Sequence, residues 1–175
     1  MEFKQVIARR RSTRKFLSTP VVREKLQRII DAALVAPTSR NTRSTRLFIV
    51  QQEATLEAMS HMRDYGSAFM KDATAAIVVA SDKTTTDLWV DNCAIAATTI
   101  QLAVVDEGLA SCWVHVNDRP CLKDEPEGAK ADDFLRELLG IPEHYGILCV
   151  VALGYSDYEP KPLPAYEGEE RVKWL

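Results

Sequence analysis

Seven consecutive apolar residues, Ile147-Leu148-Cys149-Val150-Val151-Ala152-Leu153, run up to Gly154. A strand points successive side chains to opposite faces, so this strand has no face to give to water. Thr74-Ala75-Ala76-Ile77-Val78-Val79-Ala80 reads as a second buried strand. Leu47-Phe48-Ile49-Val50 and the segment from Ala110 to Val116 are two further candidates.

The intervening sequence supplies helices to cover these strands. Phe3, Val6 and Ile7 recur at spacings of three and four, which predicts a short N-terminal helix. Pro20 is placed to open a second helix, since its missing N–H costs little in a first turn. Leu26, Ile29, Ile30, Ala33 and Leu34 form the expected buried stripe, and Pro37 is the stop. Ala54 to Met62 reads as a helix. Asp87 to Glu107 reads as a long helix, apolar over much of its surface and stopped by Gly108, suited to a core or a subunit interface. Phe134, Leu135, Leu138 and Leu139 predict an amphipathic helix ending at Gly140. Helices interleaved with short buried strands give an α+β or α/β sandwich, expected as one domain over residues 1–175. Residues 155–175, with Pro160, Pro162 and Pro164, are expected to be an extended C-terminal tail.

Composition narrows the function. The chain has 175 residues and a net charge of −3. A nucleic-acid binder should carry a dominant basic footprint, so nucleic acid is not an expected partner. No apolar run approaches the roughly 20 residues that cross a bilayer, and the N-terminus has no secretory h-region, so neither a membrane partner nor export is expected. A cytoplasmic location is the expectation. Cys93, Cys112, Cys121 and Cys149 are widely spaced without a CxxC pair, which argues for free thiols rather than a metal site.

Against that acidic background, Arg9 to Lys15 stands out. Arg9-Arg10-Arg11-Ser12-Thr13-Arg14-Lys15 is a run of cations and hydroxyls, all able to donate to phosphate. A solvated basic patch at a helix end would look the same. Ala36-Pro37-Thr38-Ser39-Arg40-Asn41-Thr42-Arg43-Ser44 is dense in donors, and Asn41 could serve the imide edge of a heterocycle or simply a polar loop. Gly108-Leu109-Ala110-Ser111-Cys112-Trp113 places small residues before a Trp, which suits either close approach to a flat ligand or an ordinary strand start.

Taken in order, these segments resemble a known family. Arg10-Arg11-Ser12-Thr13-Arg14-Lys15-Phe16 is similar to the RRSxRxF segment of nitroreductases. Ala36 to Asn41 resembles their AP[ST]xxN loop, Gly108 to Trp113 their GLGSCW strand entry, and Leu153-Gly154-Tyr155 their C-terminal GYP segment. The resemblance implies a three-layer α/β/α sandwich of the α+β class, with a central, mostly antiparallel sheet. It implies a homodimer with FMN at the interface. Arg10, Arg11, Ser12 and Arg14 would hold the phosphate, ribityl and pyrimidine side of FMN. Thr38, Ser39 and Asn41 would reach the flavin, the first two from the partner chain. The backbone near Trp113 and Val114 would pack on the ring or donate to it. Lys161, or else Arg171, would be the tail's phosphate contact.

The implied activity is ping-pong oxidoreduction, from NADH or NADPH through flavin N5 to nitroaromatic, quinone or similar acceptors. Specialised flavin chemistry, such as enone reduction or reductive dehalogenation, and flavin storage without turnover are the alternatives. Arg14 or Lys15 is the candidate cation near flavin N1 and O2. No side chain is required as acid or base. His115 is either a proton donor or a strand histidine satisfied by a neighbour. The sequence departs from the family loop NxQPW: Arg43 stands for Gln, Ser44 for Pro and Thr45 for the aromatic. Arg43 is expected to reach the flavin and add positive charge.

Overall fold

The computed structural model describes residues 1–159 and 173–175. Its centre is a four-stranded sheet of β1 (Thr45–Val50), β2 (Ala75–Asp82), β3 (Ala110–His115) and β4 (Tyr145–Gly154), in the order β1-β2-β4-β3. Every ladder in it is antiparallel. The two fully apolar runs, β2 and β4, are the two central strands, which is why neither face of either strand could carry polar side chains.

Three layers result. On one face, α2 (Arg23–Leu34) and α4 (Trp89–Asp106) cover Ala75, Ile77, Val79, Cys149, Val151 and Leu153. On the other, α3 (Glu53–Ser60) and α5 (Ala131–Leu139) cover Ala76, Val78, Val150 and Ala152. A bulge breaks the alternation once. Val79 pairs with Cys149 and Ala80 with Ile147, so Leu148 is the extra residue and joins Cys149 under the same helices. The remaining helix, α1 (Phe3–Arg9), packs against α4 through buried Val6. The final turn of α5 ends at Gly140, whose φ of 63° is the left-handed C-cap expected there.

Between α1 and α2 the chain runs as a strap across one end of the sheet. Thr13 N–H donates to Ser111 O of β3 at 2.9 Å, and Leu17 N–H donates to Tyr155 O just past β4 at 2.8 Å. Gln51, just past β1, donates from Nε2 to Val21 O at 2.9 Å. Phe16 lies against Gly154, where a Cβ would come 3.2 Å from the Phe16 ring.

The strap corrects one expectation. Pro20 does not open α2; it belongs to the strap, and α2 begins at Arg23 after Val22. The stripe of α2 is also narrower than its periodicity implies. Leu26, Ile29 and Ala33 are buried, Ile30 is half-buried, and Leu34 faces solvent. The long helix is two residues shorter at its start and one at its end than expected. The four cysteines are free, and burial raises the thiol pKa of each, that of Cys93 to about 12.

Candidate cofactor site

The strap brings two of the three sequence segments together. Ser12 forms a parallel bridge with Ser111, so the basic segment docks on β3 at its Gly108–Ser111 entry. The Ser111 hydroxyl is buried there, without a hydrogen-bond partner among the described residues. Arg10 is half-buried, while Ser12 and Arg14 are exposed. The Arg14 guanidinium lies 5.8 Å from the centre of the Phe69 ring, which holds a cation beside the strap. Lys15 is exposed next to it.

Arg11 turns the other way. Its Nη1 donates to the carbonyls of Ala8 and Arg10 at 2.7 Å each, closing the end of α1. It shares a cleft of about 200 Å³ with Arg9, Thr13, Ser156 and Tyr158, and that cleft includes neither Arg10, Ser12 nor Arg14.

Among the described residues β3 is an edge strand, paired with β4 on one side and met by the strap at Ser111 on the other. The Ser111 carbonyl points outward to Thr13, and the His115 carbonyl points outward to Arg63 Nη1 at 2.8 Å. Alternation along the strand turns the backbone groups of Trp113 outward between them. Val114 is different. It pairs with Val150, its backbone faces β4, and its side chain is 3% exposed. The accessible backbone of this pair is that of Trp113.

His115 stacks on Trp113, with ring centres 6.4 Å apart and planes 5° from parallel. Burial, and then the nearby Arg119 and Arg63, hold its pKa below the ordinary histidine value, so the imidazole is neutral at neutral pH. That favours a packing role over a charged proton donor. His61 and His144 are exposed, as expected.

The third segment lies elsewhere. Thr38–Arg43 leads into β1, on the opposite edge of the sheet. Thr45 pairs with Ser81 at one end of β2, whereas Ser111 pairs with Leu153, which pairs with Ala75 at the other end. Three strand spacings across and six residues along put the two segments about 25 Å apart, at diagonal corners of the sheet. A ligand gripped by both segments needs two chains, and Asn41 then comes from the same chain as Thr38 and Ser39.

The loop is conformationally unusual. Arg40, Asn41 and Arg43 have φ of 51°, 53° and 47°. Left-handed backbone costs a non-glycine residue about 1–2 kcal/mol, and such conformations gather at ligand-binding segments. Two contacts offset the cost: Ser39 N–H donates to Asn92 Oδ1 at 2.8 Å, and Arg43 N–H donates to Thr38 Oγ1 at 3.0 Å. Asn92 was not legible as a site residue; it is one of two buried amides on α4, with Gln101, and nothing in the sequence sets it apart. Arg43 is exposed, and its Nε reaches Asn41 Oδ1 at 3.4 Å. Lys161 and Arg171 lie outside the described residues.

Comparisons with known proteins agree with this architecture. The chain is 34% identical over 163 residues to a Methanothermobacter thermautotrophicus protein named as a candidate NADH dehydrogenase/NAD(P)H nitroreductase, covering 91% of this chain and 80% of that protein. An Archaeoglobus fulgidus protein with the same name is 34% identical over 171 residues, covering 95% and 91%. The solved structure of an FMN-dependent nitroreductase from Clostridium difficile superposes with a TM-score of 0.85 at 37% identity, covering 91% of each chain. Among the described residues no helix is long and apolar enough to cross a membrane. The sequence pattern of the nitroreductase family matches residues 7–155, and with this fold the chain belongs to that family of oxidoreductases.

Proposed function

We propose that this protein is an FMN-dependent oxidoreductase that passes electrons from NADH or NADPH to nitroaromatics, quinones or similar electron-poor acceptors. The observation that carries the reading is the docking of the Arg10–Lys15 strap on β3 at Ser111, two residues before the outward-facing backbone of Trp113. The cations and hydroxyl suit a phosphate on a flexible polyol, and the outward strand edge beside an indole suits a planar heterocycle. When bound, FMN would supply the two-electron redox chemistry, with the nicotinamide and the acceptor using the site in turn in a ping-pong sequence.

The chain's own residues bind and orient. Arg10 and Ser12 hold the phosphate end. Arg14, steadied over Phe69, and Lys15 place positive charge by the flavin's N1 and O2 edge. Trp113 presents backbone to the ring. Thr38, Ser39, Asn41 and Arg43 contribute from the second chain of a homodimer, because one chain cannot bring its two corners together. The names of the archaeal relatives and the FMN dependence of the Clostridium difficile protein support the same assignment.

Steady-state kinetics with NADH and a quinone or nitroaromatic test it. Turnover with parallel double-reciprocal lines is expected. Intersecting lines would contradict the ping-pong order, and slow reduction by both nicotinamides would favour a specialised flavin reaction or storage instead.

A further inference from the structure

The departure at Ser44, where the family loop has Pro, has a structural counterpart. Ser44 is 1% exposed, and its Oγ receives two buried donors. Asn92 Nδ2 donates to it at 3.1 Å and Ser81 Oγ at 2.8 Å, while Asp82 N–H donates to the Ser44 carbonyl at 3.1 Å. Asn92 is also 1% exposed and uses both ends of its amide: Oδ1 receives Ser39 N–H and Nδ2 serves Ser44. Rotating the amide by half a turn would set a donor against the Ser39 N–H, so its orientation is fixed. One side chain on α4 therefore ties the start of the Thr38–Arg43 loop to its end.

We propose that Asn92 is a positioning residue for cofactor binding: through Ser39 and Ser44 it holds the loop in its left-handed conformation and so presents Thr38, Ser39 and Asn41 to the flavin. A proline at position 44 would stiffen the exit of the loop by fixing one φ angle. Here the hydrogen-bonded pair Asn92–Ser44 does so, with Ser81 as its anchor in the sheet. The inference rests on the flavin reading of the loop, and its two readouts separate the ideas.

The test uses the full-length protein with Asn92→Ala, Ser44→Ala and the double variant. The first readout is the rate of tryptic cleavage after Arg40 and Arg43, followed by mass of the released peptides. The second is the FMN dissociation constant from flavin fluorescence. Leaving the Ser39 N–H without its acceptor and removing the Asn92 donor from Ser44 Oγ, which keeps Ser81, should speed cleavage and weaken FMN by about tenfold each in Asn92→Ala. Because both residues act through one network, Asn92→Ala should add less than about threefold in the Ser44→Ala background. If Asn92→Ala does not fold, Asn92→Asp keeps the acceptor for Ser39 N–H while removing the donor to Ser44, and serves the same readouts. Faster cleavage with unchanged FMN affinity supports the anchor and overturns the assignment of the loop to flavin. Unchanged cleavage and unchanged affinity, or full additivity in the double variant, overturns the proposal.

Discussion

Single residues carry the recognition chemistry, and they separate into two groups. Ser12 bridges to β3 at Ser111 with Arg10 and Arg14 on either side of it in the strap, whereas Arg11 donates to the carbonyls that end α1. A charged group lost from a phosphate or ring contact typically costs about 1.5–3 kcal/mol, so Arg14→Ala should weaken FMN about 10- to 100-fold, read by flavin fluorescence titration. Arg43 is exposed and neighbours Asn41. If it lies by the flavin's polar edge, Arg43→Gln should lower the two-electron midpoint potential by about 10–30 mV, the size of one solvent-screened charge interaction. An unchanged potential would remove Arg43 from the site. The sequence showed the residue types at this scale but not their directions. Whether an arginine in a run of seven faces a ligand or caps its own helix depends on where the strap docks, and that contact spans about a hundred residues.

At the scale of elements, apolar runs and helical periodicity identified the strands and helices, because burial on two faces leaves a strong mark on sequence. What they could not show was the strap. Its hydrogen bonds go to Ser111, Tyr155 and Gln51, none of which is a sequence neighbour. Pro20 therefore looked like a helix start. The loop before β1 was legible as polar, but its anchor on Asn92 was not, since nothing in the sequence of α4 sets Asn92 apart from its other buried amide, Gln101. Gly146 packs closely against the start of α4: a Cβ there would lie 2.6 Å from the Trp89 ring. Gly146→Ala should destabilise the fold by about 1–3 kcal/mol through overpacking, measurable as a lower denaturant midpoint with altered Trp fluorescence. A midpoint unchanged by the substitution would show that Trp89 yields freely.

Across the whole molecule, the sheet sets the functional logic. Order β1-β2-β4-β3 places the basic strap on one edge and the strained loop at the far corner of the other, about 25 Å away. The proposed flavin site draws on both corners, which a two-fold partner would bring together. The ordered motifs in the sequence pointed to that family arrangement, but the diagonal separation of the two segments is visible only in the fold. The central claim is that this surface holds a flavin which a nicotinamide reduces. The most direct measurement is the visible spectrum of the purified protein, followed by anaerobic addition of NADH or NADPH and then of a quinone. The expected result is a yellow protein that bleaches with the nicotinamide and recovers its colour with the acceptor. A colourless protein that fails to take up added FMN would contradict it.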